Sequence, residues 1–314
     1  MFSHEALLYD GLDGFLAGTV PFLREGLDAG EPMLVAVGAP KIAALHAALG
    51  AEADRIAFED MAVLGHNPAR IIPAWDDFAS VNLTPSTPMR GIGEPIWAER
   101  SATELVECQL HEALLNVAFA DARGFRLLCP YDTSALDGSV IHEACSSHPL
   151  VDGERSLAYR DAELLLAPFE SPLPPPPATA RLLGFELDSL VDVRRLVEHS
   201  ARRAGLDEDR EQDLVLAVGE LATNSVRHGG GRGIVRIWRT DIALVCEVRD
   251  RGHIADPLVG RRKPRHAQMG GRGLWIANRV CDLVQVRSNA QGTAVRVHMA
   301  LTSAPAPVNG TLNT

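Results

Sequence analysis

Five prolines in eight residues, Ser171-Pro-Leu-Pro-Pro-Pro-Pro-Ala178, constrain this chain more than any other stretch. Each proline fixes its φ and offers no backbone N–H, so the run fits neither a helix interior nor a central strand. It reads as a short, stiff connector, with a recognition peptide for a proline-binding groove as the alternative. The 314 residues therefore divide into domains at 1–170 and 181–301, joined by a linker at 171–180 and followed by an uncharged, disordered tail at 302–314.

Charge changes sign across the linker. Through Ala180 there are 10 Lys and Arg against 26 Asp and Glu, and beyond it 20 against 15. The acidic first part argues against a direct nucleic-acid partner, because a phosphate backbone needs cations. Arg261, Arg262, Lys263 and Arg265 lie together, either as a mobile basic segment that meets an anion or acidic partner, or as a solvated loop. No apolar run is long enough for a membrane-spanning helix, and residues 1–10 lack the basic start of a signal peptide, so the chain reads as cytoplasmic with no membrane partner. Five cysteines, an odd number in apolar contexts, read as core residues in a reducing compartment.

The first domain alternates short apolar runs with amphipathic segments. Strands are expected at 5–9, 32–38, 55–59 and 125–129, and helices at 11–29, 41–49, near 68–78, at 103–119 and at 134–145. Strand followed by helix, repeated, implies a mainly parallel sheet covered on both faces, hence an α/β domain. Ligands of such sheets sit beyond the carboxyl ends of the strands, which points to Tyr9-Asp10, Gly38-Ala-Pro-Lys41 and Pro130-Tyr-Asp-Thr133. Gly38-Ala-Pro-Lys41 is not a P-loop, so this half reads as a sensory or binding domain. Cys108 and His111 share a helical face, and His142, Cys145 and His148 repeat the three-residue step. Such ligands can hold a metal, or they are buried thiols and partly exposed imidazoles. His4 with Tyr9, Cys129-Pro-Tyr-Asp132 and His148-Pro149 resemble the methanogen/methylotroph sensory domain, MEDS, over residues 3 to about 168. That resemblance implies a small-molecule or signal-sensing role.

Beyond the linker, a helix expected at 209–227 carries Glu220-Leu-Ala-Thr-Asn224. A four-residue step returns to one face, so carboxylate and amide project together beside an apolar stripe of Leu214, Ala217, Val218 and Leu221. A carboxylate there can polarise a hydroxyl or water, and an amide oxygen can bind Mg²⁺. Strands at 233–240 and 242–249 follow, ending in Asp250-Arg-Gly252. This is either a turn or a carboxylate suited to the amino group of adenine, with glycine letting the ring approach. Gly270-Gly-Arg-Gly273 then opens a helix at 274–281, leaving amide donors at its positive end for phosphate. Two more strands, 283–287 and 293–299, complete an α+β sandwich.

That order resembles the ATP-binding fold shared by gyrase, heat-shock chaperone, histidine kinase and mismatch-repair families, the GHKL or Bergerat fold. The compact form without a phosphoacceptor helix pair is similar to the anti-sigma-factor serine/threonine kinases. The resemblance, over about 181–301, implies Glu220 as general base and Asn224 as the ligand of Mg²⁺ on the phosphates. It implies Asp250 and Gly252 at adenine, Gly271, Arg272, Gly273 and Leu274, with Gly270, in the phosphate box, and Thr293 in support of Asp250. Arg227 and His228 lie where the nucleotide wall continues. ATP, Mg²⁺, a sigma factor, an antagonist protein and a homodimer come with it. The family pattern Asp-x-Gly-x-Gly is broken here, since Asp250-Arg-Gly-His-Ile254 places a branched side chain at the second glycine, strained if φ there is positive. A binding module that sequesters its partner without catalysis is therefore one alternative. A sensor histidine kinase is the other, although only residues 183–204, with His199 in one short helix, precede the Glu220 helix.

Overall fold

A computed structural model describes residues 2–160, 162–264 and 271–301. They form two compact units, Met1–Phe169 with Arg261–Lys263, and the remainder from Glu170 onward. The tail at 302–314, Arg265 and Gly270 lie outside the described residues.

The first unit runs β1 (Ser3–Tyr9), α1 (Gly11–Ala29), β2 (Met33–Val37), α2 (Ala39–Leu49), β3 (Ala57–Asp60), α3 (Met61–Leu64), α4 (Ile71–Asn82), β4 (Met89–Gly93), α5 (Ala102–Ala118), β5 (Phe125–Asp132), α6 (Gly138–Ser147), β6 (Leu150–Val151), β7 (Glu154–Arg155), α7 (Ala162–Leu165) and α8 (Ala167–Glu170). Helix α1 buries Phe15, Thr19, Leu23 and Leu27 at four-residue steps, and Gly30 ends it at φ 67°. A capping box between Ser101 and Glu104 starts α5. The sheet order is β3-β2-β4-β5-β1-β6-β7, parallel except for β6 against β7. The mainly parallel α/β sheet expected from the alternation is therefore present.

Three local expectations need correction. The strand Met89–Gly93 was not foreseen, and it occupies the sheet between β2 and β5. Helix α6 starts at Gly138 instead of near 134, because Asp132 accepts from the Ser134 amide in a turn and Asp137 caps the helix through the Ser139 amide. Helix α4 runs later than 68–78, after a 3₁₀ turn at Pro68–Arg70 capped by Asn67.

The second unit runs β8 (Arg181–Glu186), α9 (Leu190–Ala204), α10 (Glu208–His228), β9 (Arg232–Arg239), β10 (Ala243–Asp250), α11 (Arg272–Val280), β11 (Leu283–Asn289) and β12 (Gly292–Ala300). Its sheet, β11-β12-β10-β9-β8, is antiparallel throughout, and α9, α10 and α11 pack against it. The segment at 183–204 that precedes the Glu220 helix holds the end of strand β8 and then α9, the short helix that carries His199. Strand alternation divides the sheet: Cys246 and Val248 align with Ile237 and Val235 on one side and with Val297 and Val295 on the other, forming an apolar face. The opposite face carries Glu247, fully buried, between Arg296, at 2.6 Å, and Arg249, at 2.7 Å. Across this face runs the proline segment, with Leu173 buried, the Pro174 carbonyl accepting from Arg296 and the Glu170 carbonyl accepting from Asn289.

Candidate functional site

Helix α10 supplies one wall of a cavity of about 360 Å³ in the second unit. Its buried stripe of Leu214, Ala217, Val218, Leu221 and Ala222 seats it on the sheet and continues into Ser225. Glu220 and Asn224, one turn apart, are half-buried beside that stripe. The first turn of α11 lies against them: a Cβ on Gly273 would sit 2.5 Å from Asn224 Nδ2 and 3.3 Å from the Cβ of Glu220. A methyl group there would displace the Asn224 side chain or part the two helices. Gly271 precedes α11 at φ 82°, a left-handed conformation that glycine adopts freely, and no side chain caps the helix. The amides of Gly273 and Leu274 stand in its first turn, at the positive end of the helix dipole.

Asp250 ends β10 and lines the same cavity. Its Oδ2 accepts from the Ser225 hydroxyl at 2.6 Å and its Oδ1 accepts from the Gly252 amide at 2.7 Å. Backbone crowds it closely: a side chain on Gly252 would meet the His228 carbonyl at 2.7 Å, and one on Gly229 or Gly292 would collide with Asp250 itself. Thr293 pairs across the ladder with Asp250, yet its hydroxyl donates to the Gly252 carbonyl at 2.9 Å and lies 3.0 Å from Ser288 Oγ. Among the described residues, the carboxylate is held by Ser225 and Gly252, and Thr293 acts one bond further away.

Of the other residues singled out in the sequence, His228, Gly252, Gly271, Leu274 and Thr293 line the same cavity as Asn224 and Asp250. Arg227 and Arg272 are exposed. Ile254 lines the cavity too, and its amide donates to Ser288 Oγ at 2.8 Å. Asp152 is the one non-glycine residue with positive φ among those described, so the branched side chain at 254 sits in ordinary backbone and carries no left-handed strain. Ser225 and Ser288 were missed by the sequence reading. Ser225 was legible as a small polar residue prolonging the apolar stripe of α10, whereas Ser288 reaches the site only through sheet register.

In the first unit, Tyr9, Lys41 and Glu94 meet at the carboxyl ends of the strands. The Tyr9 hydroxyl and the Lys41 ammonium each donate to Glu94 Oε1 at 2.6 Å. Burial pushes the Glu94 carboxyl above its usual range against the opposing pull of Lys41. Glu94 follows the unforeseen strand β4, which is why the sequence named its two partners' segments and not it. The proposed metal-type donors do not come together as a set. Cys108 donates to the Pro95 carbonyl, His142 is exposed, Cys145 is half-buried, and His148 instead joins His4, Glu112 and Cys129.

Among the described residues, no helix is long and apolar enough to cross a membrane. Comparison with known families gives two matches. Residues 3–149 match the MEDS family, described as the methanogen/methylotroph, DcmR sensory domain. Residues 184–299 match the histidine kinase-like ATPase domain. No curated protein matches the chain. Among solved structures, the RsbU and RsbW domains of Rv1364c from Mycobacterium tuberculosis share 19% identity over 38% of this chain and 32% of that one, at a TM-score of 0.29. The histidine kinase AdeS of Acinetobacter baumannii shares 11% identity over 39% of this chain and 68% of its own, at a TM-score of 0.24. The chain thus spans about a third of the length of the first of these. The two family matches coincide with the parallel α/β unit and the antiparallel sandwich: the chain joins a MEDS sensory domain to a histidine kinase-like ATPase domain.

Proposed function

We propose that the second domain is an ATP-dependent protein serine/threonine kinase of the anti-sigma-factor type, acting on an antagonist protein and regulated by a signal at the first domain. In this reading the same domain holds a sigma factor once the antagonist is phosphorylated, and the chain works as a homodimer. The observation that carries it is one cavity lined by Asp250, Asn224 and the glycine-opened start of α11, with Glu220 one turn from Asn224 and against Gly273.

The residues suit Mg·ATP. Asp250 keeps a fixed carboxylate for the adenine amino group, because Ser225 and Gly252 already satisfy its other acceptor positions. The space that a Cβ at Gly273 would fill brings the amides of α11 close to Asn224, where phosphate oxygens are stabilised by N–H groups and helix dipole. Mg²⁺, with Asn224 as its protein ligand, would supply charge neutralisation on those phosphates. Glu220, flanking the same spot, accepts the proton of an incoming Ser or Thr hydroxyl as its oxygen bonds the γ-phosphorus and ADP departs. Phosphoryl transfer is chiefly positioning and electrostatics, so the amides of α11 and the Asn224 amide are the main contributors, and Glu220 adds the roughly 10²- to 10⁴-fold of general-base catalysis.

Strand β8 is paired with β9, so the stretch ahead of α10 is part of the ATPase sheet and leaves no room there for a phosphoacceptor helix pair. His199 is an exposed residue of α9 within that same fold. Incubation of the full chain with γ-labelled ATP and a candidate antagonist tests the proposal. Label on an antagonist serine or threonine, lost in Glu220→Gln, is the expected result. Label on His199 would make it a histidine kinase, and bound ATP with no transfer to any antagonist tried would make it a sequestering module.

A further inference from the structure

In the first unit, four chemically distinct donors converge from four elements. His4 lies on β1, Glu112 on α5, Cys129 on β5 and His148 just past α6, and all four are buried. His4 Nε2 and His148 Nε2 approach Glu112 Oε2 at 3.1 and 3.3 Å, Cys129 Sγ lies 3.4 Å from His4 Nε2, and all four ligand atoms fall within 4.8 Å of one another.

Hydrogen bonding at the far side of each ring fixes what faces inward. The Asn116 amide donates from Nδ2 to the Ser147 carbonyl at 2.8 Å, leaving Oδ1 to accept, at 3.0 Å, from His4 Nδ1. The Ala144 carbonyl, 2.8 Å from His148 Nδ1, can only accept. Both histidines therefore carry a hydrogen on Nδ1, and each ring, when neutral, turns an Nε2 lone pair toward a carboxylate oxygen. Acceptor faces acceptor at the centre of the group. Among the described residues, the second oxygen of Glu112 and Nε2 of His148 are buried without a hydrogen-bond partner. A buried arrangement of this kind is costly unless something electropositive lies at its centre.

We propose that His4, Glu112, Cys129 and His148 bind one divalent transition-metal ion, of which Zn²⁺ fits the donor set best. Two imidazole nitrogens, a thiolate and a carboxylate make a tetrahedral set, whose edges are about 3.3–3.6 Å for bonds of about 2.0–2.3 Å. The three measured separations lie close to that range. A thiolate and a carboxylate together neutralise a 2+ ion, so the loaded site adds no net charge to the interior. Asn116 and the Ala144 carbonyl are then the outer partners that orient metal-bound histidines and set their tautomers. With four protein ligands the site is closed, and its role is to tie β1, β5, α5 and the end of α6 into one unit. This assignment is independent of any nucleotide chemistry in the second domain.

The test is elemental analysis of the untagged full chain, purified without metal-chelating resin, followed by removal of metal and titration with Co²⁺. One equivalent of metal per chain is expected. Cobalt should give the intense visible bands of a tetrahedral site and a thiolate-to-metal charge-transfer band that saturates at one equivalent. Cys129→Ser should lose the charge-transfer band while Cys246→Ser keeps it. If Cys129→Ser does not fold, X-ray absorption of the wild-type protein decides: one sulfur and three nitrogen or oxygen neighbours support the site. No metal as purified together with no charge-transfer band overturns it, as does a band unchanged in Cys129→Ser.

Discussion

The Ser225 hydroxyl donates to Asp250 Oδ2 at 2.6 Å, tying the central helix of the ATPase domain to the end of a strand 25 residues later. Removing the hydroxyl frees the carboxylate to rotate and leaves it short of one donor, a loss of about 1.5 kcal/mol for a hydrogen bond to a charged group. Ser225→Ala is expected to weaken binding of adenine nucleotide about tenfold, and Asp250→Ala to abolish it, by calorimetric titration with ADP.

Gly273 is a second lever on the same cavity. Its missing side chain is what lets α11 approach the Asn224 amide, and a methyl group would lie 2.5 Å from Nδ2. Gly273→Ala should separate the two helices by a few tenths of an ångström or more. ADP affinity is expected to drop at least tenfold, while far-ultraviolet circular dichroism stays that of the parent.

Glu247 is fully buried among arginines on the opposite face of that sheet, paired with Arg296 at 2.6 Å. Removing one partner of a buried pair strands the other, which costs about 3 kcal/mol. Glu247→Ala is therefore expected to lower the denaturant midpoint of the ATPase domain sharply, and to loosen the proline segment whose Pro174 carbonyl Arg296 also holds. Faster proteolysis within 171–180 would report the second effect.

None of the five cysteines is in a disulfide, and four are buried. Burial pushes the Cys108 thiol up to about 12 and raises those of Cys246 and Cys281 as well, so thiolate at neutral pH is scarce at these three sites. Ellman's reagent on the native chain should titrate one thiol readily, Cys145, and all five after denaturation. Peptide mapping would identify the reactive residue.

The sequence made some of this visible and hid the rest for identifiable reasons. Amphipathic spacing located α1 and α10, and the glycine-rich opening of α11 stood out because its neighbours were so regular. Strand β4 was invisible because Met89-Arg-Gly-Ile-Gly93 has poor strand propensity. Its glycines make room for the Trp75 ring, which a Cβ at Gly91 would meet at 2.7 Å, and its arginine is buried against Glu25 and Glu31. The strand is specified by tertiary packing. The donor group around Glu112 was hidden differently. Spacing along one helix suggested Cys108 with His111, but the group needs His4, more than a hundred residues before Glu112, Cys129 and His148, and brought to them by the parallel register that sets Ala6 beside Cys129.

The tight turn at Gly292 has a consequence for genetics. With φ at 124° and the Asp250 carbonyl packed where a side chain would begin, this position tolerates nothing larger than hydrogen. It belongs to no recognisable signature and lies more than 40 residues from the aspartate it abuts. Selection for alleles blind to adenosine phosphates would recover changes at this hairpin alongside those in the obvious glycine box, and a catalogue of motif residues alone would score them as silent.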